Sequence, residues 1–326
     1  MEILENLVRK IILPIIRKLP DKTVRRTALR YYVEGDAKDA ICAMDLFRQR
    51  GINPIFDILG EDVDDEFSVN KNKQDYISLI KELNYNRLQN LSDNYSPEIS
   101  IKLSMLGLAP DSNDEQLLLV QDHVLEILKE SKRYNVFSRI DMEDSRYTSN
   151  TLLMYKNLRQ KGFDCVGVVL QSRLKRTKSD LEDLIDFKPD IRLVKGAYHN
   201  EPKDKVYIDK YDVDKNFFDL ESEILLHHFA LEIATMDDYI IEGSLEMISA
   251  YRQDNGQDPD YSFSMLYGAR NNRLFELAEK NIQTKIYIPY GTYEKAKAYA
   301  LRRFYENPSL VLEMIKNEIK QRRLDL

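Results

Sequence analysis

The sequence predicts an α/β fold, a parallel (β/α)8 barrel preceded by N-terminal helices, and three observations carry that prediction. Short apolar or β-branched runs recur along the chain, polar segments of helical period fill the intervals, and the runs end in charged or polar aromatic residues. Strands alternating with crossover helices imply a parallel sheet, and eight such units close into a barrel whose chemistry lies at the C-terminal strand ends.

The runs come in order as "NPIFDIL" (Asn53 to Leu59), "EISIKL" (Glu98 to Leu103), "NVFSRID" (Asn135 to Asp141) and "CVGVVLQ" (Cys165 to Gln171). They continue with "IRLVKG" (Ile191 to Gly196), "FALEIAT" (Phe229 to Thr235), "DYSFSML" (Asp260 to Leu266) and "KIYIPYG" (Lys285 to Gly291). Segments such as "DEQLLLVQDHVLEILKESKR", "TLLMYKNLRQKG" and "RNNRLFELAEKN" are long enough to be crossover helices. No Gly-, Pro- or Ser-rich linker interrupts them, so residues 1–40 read as an N-terminal helical segment and 41–326 as the barrel. The predicted rim then carries Glu61, Lys102, Asp141, Gln171, Arg192 and Tyr287. Partly buried charges are costly unless paired or used, so their convergence on one rim marks a functional site.

Composition removes several classes. Lys plus Arg number 48 against 55 for Asp plus Glu, a formal charge of −7, which is the wrong sign for a general nucleic-acid binder. Cys42 and Cys165 are too few for a disulfide framework or a metal-ligand set, so no metal is expected and a reducing, cytoplasmic compartment is the simpler inference. The N-terminal stretch "LVRKIILPIIRKLP" is too short and too charged to span a membrane. It reads as a packing helix, with peripheral contact at the inner membrane face as the alternative.

Near the other end, "AYALRRFYENP" places Tyr299, Arg302, Arg303 and Glu306 on one face of a helix, because positions three, four and seven apart lie on one side. Two readings stand for that face: a solvated stripe with an Arg302–Glu306 pair, or a clamp for an anion.

These pieces resemble the monofunctional proline dehydrogenase family, flavoenzymes on a distorted (β/α)8 barrel. The likeness runs through "YYVEGD", "FDILGE", "ISIKLS", "RIDMED", "VVLQ", "RLVKGAY", "KYDVDKNFF", "EIATMD", "FSMLYGAR" and "YIPYGTYEKAKAYALRRFYENP". "RLVKGAY" and the "YxxRRxxEN" pattern, after the fifth and eighth strands, are together specific. The resemblance implies oxidation of L-proline to Δ1-pyrroline-5-carboxylate, with hydride taken by FAD and electrons passed to a quinone. It also implies pyrroline-5-carboxylate dehydrogenase as the downstream partner.

Carried over residue by residue, the resemblance assigns Arg302, Arg303 and Lys102 to the substrate carboxylate, with Glu306 balancing the arginines. Tyr198, Tyr299 and Leu266 would wall the pyrrolidine ring, and Tyr287, hydrogen-bonded to Asp141, would close the pocket at the far ring carbons. Arg192 would lie by the flavin N5, which gives Asp141, Arg192 and Tyr287 the catalytic roles. Gln171 would meet the pyrimidine edge, with Val194, Lys195, Gly196 and Ala197 along the supporting backbone and Met142 and Thr235 at further FAD contacts. Met236 stands where the family usually has histidine, and Ser172 and Arg173 replace its usual Ala-Tyr. Methionine fills space but donates no hydrogen bond. No G-x-G-x-x-G fingerprint follows the early strands, so Rossmann-type binding of FAD is not expected.

Three alternatives remain: a Schiff-base aldolase using Lys195 or Lys102, a non-catalytic barrel, and oxidation of another cyclic amino acid such as hydroxyproline. Strand alternation counts against Lys195, because it points away from the face shared by Arg192 and Val194.

Overall fold

A computed structural model describes residues 21–60, 62–90, 97–198 and 201–306. The stretch "LVRKIILPIIRKLP", read as a packing or membrane-contacting helix, Glu61, and the side chain of Glu306 lie outside the described residues.

All eight predicted runs form strands. They are β2 (Asn53–Ile58), β3 (Glu98–Ile101), β4 (Phe137–Ile140), β5 (Val166–Gln171), β6 (Ile191–Val194), β7 (Leu231–Ala234), β8 (Tyr261–Leu266) and β9 (Thr284–Gly291). Each is parallel to its neighbours, and β9 pairs with both β8 and β2, which closes the barrel. A short strand that hydrophobic patterning does not reveal, β1 (Val33–Glu34), pairs with Tyr290 and Gly291 of β9, beyond the point where β8 ends its ladder at Tyr287.

The helices are α1 (Asp21–Ala28), α2 (Ala37–Ala43), α3 (Asp45–Arg48), α4 (Glu66–Asn90), α5 (Asp114–Tyr134) and α6 (Thr148–Gln160). They continue with α7 (Thr177–Glu182), α8 (Lys210–Leu226), α9 (Asp238–Asn255), α10 (Asn271–Glu279) and α11 (Tyr293–Glu306). Local chemistry fixes the ends of α5. Asn113 and Gln116 form a reciprocal capping box at its start, and Asn135 stops it in the left-handed region at φ 52°.

The barrel is distorted in how its last helix packs. Ala40 and Ile41 of α2 and Phe47 of α3 join the main core around the barrel wall. A separate, smaller core joins Val24 and Ala28 of α1 and the following Tyr31 and Tyr32 to Tyr293, Ala296, Ala300 and Phe304 of α11. This second core holds α11 across the C-terminal mouth, where Tyr299, Arg302 and Arg303 line the same cavity as the strand ends.

Candidate functional site

The strand ends and α11 enclose a cavity of about 660 Å³, a size common for small-molecule sites. A polar groove of about 600 Å³ beside α9 and α10 is lined by residues paired with one another, including Arg270 with Asp238 at 2.9 Å and Arg273 with Glu276 at 2.9 Å. The mouth of the barrel is the better candidate for chemistry.

Three regions build its wall. On one side α11 supplies Tyr299, Arg302 and Arg303, with Arg303 buried and its guanidinium 5.2 Å from the centre of the Tyr299 ring. Arg302 lies 5.9 Å from the ring centre of Tyr198, a residue from the segment after β6. Leu266 from the end of β8 lines the same space. Lys102 follows β3, and its buried ammonium contacts the carboxylate of Asp57 from β2. Three cations thus reach one cavity beside two tyrosines and a leucine.

The second region lies at the inner ends of β4, β6 and β9. Tyr287 donates a 2.7 Å hydrogen bond to Asp141, which also accepts from Arg192 at 3.1 Å. Burial pushes the Tyr287 hydroxyl well above its ordinary pKa, and the neighbouring Asp141 and Asp57 carboxylates add to that. The phenol therefore stays a hydrogen-bond donor. Arg192 is buried, and its charge is secured: burial disfavours the cation, but Glu232 and Glu98 outweigh it and raise the pKa further.

The third region is the backbone from Val194 to Ala197, with Met142, Gln171, Thr235 and Met236 around it. Gln171 donates through Nε2 to the carbonyls of Glu143 at 2.8 Å and Met142 at 3.3 Å. Gly196 has φ +108°, and a Cβ there would fall 2.6 Å from Oε1 of Gln171, so this approach requires glycine. Lys195 follows the last residue of β6 and borders the cavity together with Asp237, so strand alternation does not turn it away as expected; its ammonium pairs with Asp214 and Asp237, both at 2.5 Å. With Lys102 engaged by Asp57, both candidate Schiff-base lysines are held by carboxylates.

Beneath the mouth lies a feature that reading the strand ends alone misses. Glu98, Arg139, Glu232 and Lys285 point into the barrel and bond to one another and to Arg192. The signal was present: Glu98, Ser100 and Lys102 alternate along one strand, and Arg139 and Asp141 along the next. Among the described residues no group of three His, Cys, Asp or Glu side chains is placed to hold a metal, and no helix is long and apolar enough to cross a membrane.

A parallel eight-stranded barrel with an arginine-bearing helix over its charged mouth defines an enzyme-type site at the usual position for this fold. The family model for proline dehydrogenase matches residues 40–314. The chain is 32% identical over 297 residues to "Proline dehydrogenase 1" of Bacillus subtilis subsp. natto, covering 91% of this chain and 92% of that one. It is 32% identical over 323 residues to "Proline dehydrogenase" of Deinococcus radiodurans, covering 97% and 99%. Its fold matches a crystal structure of proline utilization A (PutA) from Bdellovibrio bacteriovorus with a TM-score of 0.79 and 20% identity, over 87% of this chain and 33% of that longer one. The chain belongs to the proline dehydrogenase family, a family of oxidoreductases.

Proposed function

We propose that this chain oxidises L-proline to Δ1-pyrroline-5-carboxylate with FAD as the hydride acceptor and a quinone-type compound as the final acceptor. One observation carries the reading: Arg302, Arg303 and Lys102 converge on a cavity that also presents Tyr198, Tyr299 and Leu266. Guanidinium groups match a carboxylate in fork geometry, while the ring of proline has only CH₂ surface to bury against aromatic and aliphatic walls. Tyr287 and its partner Asp141 bound the cavity on the side of the barrel axis and limit the space left for ring substituents.

The cavity residues fit the flavin. Gly196 lets the backbone after β6 approach Gln171 without a side chain between them, and Thr235 and Met142 line the same wall. A fixed cation such as Arg192 favours a group that gains negative charge on reduction. When bound, FAD supplies the two-electron acceptor for the hydride leaving the ring carbon beside nitrogen. The chain's own residues fix the carboxylate, shield the ring from water and hold Arg192 and Tyr287 in place. Loss of that hydride, and of the proton on nitrogen to solvent, leaves a C=N bond; water opens this ring to the aldehyde that a pyrroline-5-carboxylate dehydrogenase oxidises downstream.

The visible absorption spectrum of the purified protein, before and after anaerobic addition of L-proline, tests this reading. Flavin bands that bleach on addition are expected. A protein that stays colourless in the presence of FAD, or whose bands proline leaves unchanged, overturns it.

A further inference from the structure

Inside the barrel, below Arg192, two glutamates meet three cations, and each glutamate touches every cation. Glu98 binds Arg139 at 2.7 Å, Lys285 at 2.8 Å and Arg192 at 2.5 Å. Glu232 binds Arg192 at 2.6 Å, Lys285 at 3.1 Å and Arg139 at 3.5 Å. Arg139, Glu98 and Glu232 are essentially sealed from solvent. Gly167 of β5 makes the space, since a Cβ there would lie 2.6 Å from Nη1 of Arg139.

Stability does not account for this arrangement. Barrels of this type are commonly filled by branched apolar side chains, and apolar groups of equal volume are often neutral or stabilising in place of a buried ion cluster. Arg192 shows what the cluster does. Its Nε donates to Glu232, its Nη2 to Glu98, and its Nη1 to Ser100 at 3.2 Å and Asp141 at 3.1 Å, so its plane is fixed from every edge. Charge follows from the same contacts. Three cations against two glutamates leave one formal positive charge, and Asp190 at the lower end, 2.9 Å from Arg139, with Asp141 at the cavity end turn that into one formal negative charge.

We infer that Glu98, Glu232, Arg139 and Lys285 are positioning residues that orient Arg192 and set the net charge under the cavity, and thereby tune the reduction potential of the flavin. The inference rests on the proposed function, because it needs a flavin in the cavity. Charges buried at low dielectric act at distances where water would screen them, so a change at Glu232 or Lys285 reaches the cavity without touching it. Reduced flavin carries more negative charge than oxidised flavin, which fixes the sign. Removing a carboxylate raises the potential, and removing a cation lowers it.

The test measures the flavin midpoint potential of Glu232→Gln and Lys285→Gln holoenzymes by equilibration with a reference dye. Each is near-isosteric for charge removal. The expected change is about tenfold in the oxidised-to-reduced partition, about 30 mV for a two-electron couple, upward for Glu232→Gln and downward for Lys285→Gln. Loosened packing alone has no reason to move the two in opposite directions. If Glu232→Gln does not fold, Asp190→Asn, at the cluster's solvent-facing end, is expected to shift the potential upward. Variants that bind flavin and bleach with proline, yet show unchanged potentials or shifts of one sign, overturn the inference. A wild-type protein that binds no flavin instead overturns the proposed function beneath it.

Discussion

Replacing Arg303 by alanine separates the two readings of the α11 face. Arg303 is buried, lies over the ring of Tyr299, and shares its cavity with Arg302 and Lys102. A substrate carboxylate bound there would lose one of its charged partners in a largely desolvated site. Breaking a buried pair costs about 3 to 5 kcal/mol, and the lower half of that range applies here because two cations remain. At 1.36 kcal/mol per decade, kcat/KM for proline should fall by roughly 100- to 1000-fold. If the α11 face does not bind the substrate, removing Arg303 leaves the substrate's charged partners intact and kcat/KM nearly unchanged, so the readings differ by far more than experimental error. The assay is steady-state kinetics at fixed acceptor, with flavin content and Tm measured on the same preparations. Tetrahydro-2-furoate, a ring carboxylate, should lose affinity in parallel, and Arg303→Lys should recover only part because it restores charge without the fork. Kinetics within twofold of wild type would refute the clamp.

Other sites give independent predictions. Tyr287→Ser removes the bulk and the hydrogen bond to Asp141, so activity on proline should fall while relative activity on hydroxyproline rises; a wild-type preference for hydroxyproline would show that Tyr287 does not set ring specificity. Gly196→Ala forces a side chain into φ +108° and onto Gln171, a strain of about 1 to 3 kcal/mol, and should reduce flavin retained on gel filtration; full retention would remove the backbone cradle from the argument. Met236→His restores a donor at the cavity wall and should tighten FAD binding in a titration of apoprotein, whereas unchanged affinity would show that the position is compensated locally. Glu221 is buried between α8 and α9, where Ser244 donates to it at 2.7 Å, and burial pushes its carboxyl up to about 7 from an ordinary 4.5, against a small opposing pull from that hydrogen bond. A raised folded-state pKa contributes stability below the unfolded value and loses it as pH climbs through the folded one, so stability should drop by roughly 3 kcal/mol between pH 4.5 and 7 from this group. Glu221→Gln should flatten that part of the Tm profile and raise Tm at pH 8; an unchanged profile would place the titration elsewhere.

Much of the fold was legible because its signals are local. Parallel strands buried on both faces read as largely apolar runs, and the eight runs from "NPIFDIL" to "KIYIPYG" all became strands, with ends shifted by a residue or two. The shared face of Tyr299, Arg302 and Arg303 follows from helical period alone. What that face meets does not. Only the packing of α1 and Tyr32 against Ala296, Ala300 and Phe304 turns α11 over the mouth, and nothing in the period of either helix names its partner. The same limit hid the ionic cluster. Alternation shows that Glu98 and Lys102 share a face and that Arg139 points with Asp141, but Glu98 meets Lys285 over the intervening strand β2, 187 positions away in sequence. The sequence by itself determined which residues form strands and which side chains share a face, since both depend on backbone geometry over a few residues. The closed ring decided which charges face one another, because burial and ion pairing depend on strands brought together only when the barrel shuts.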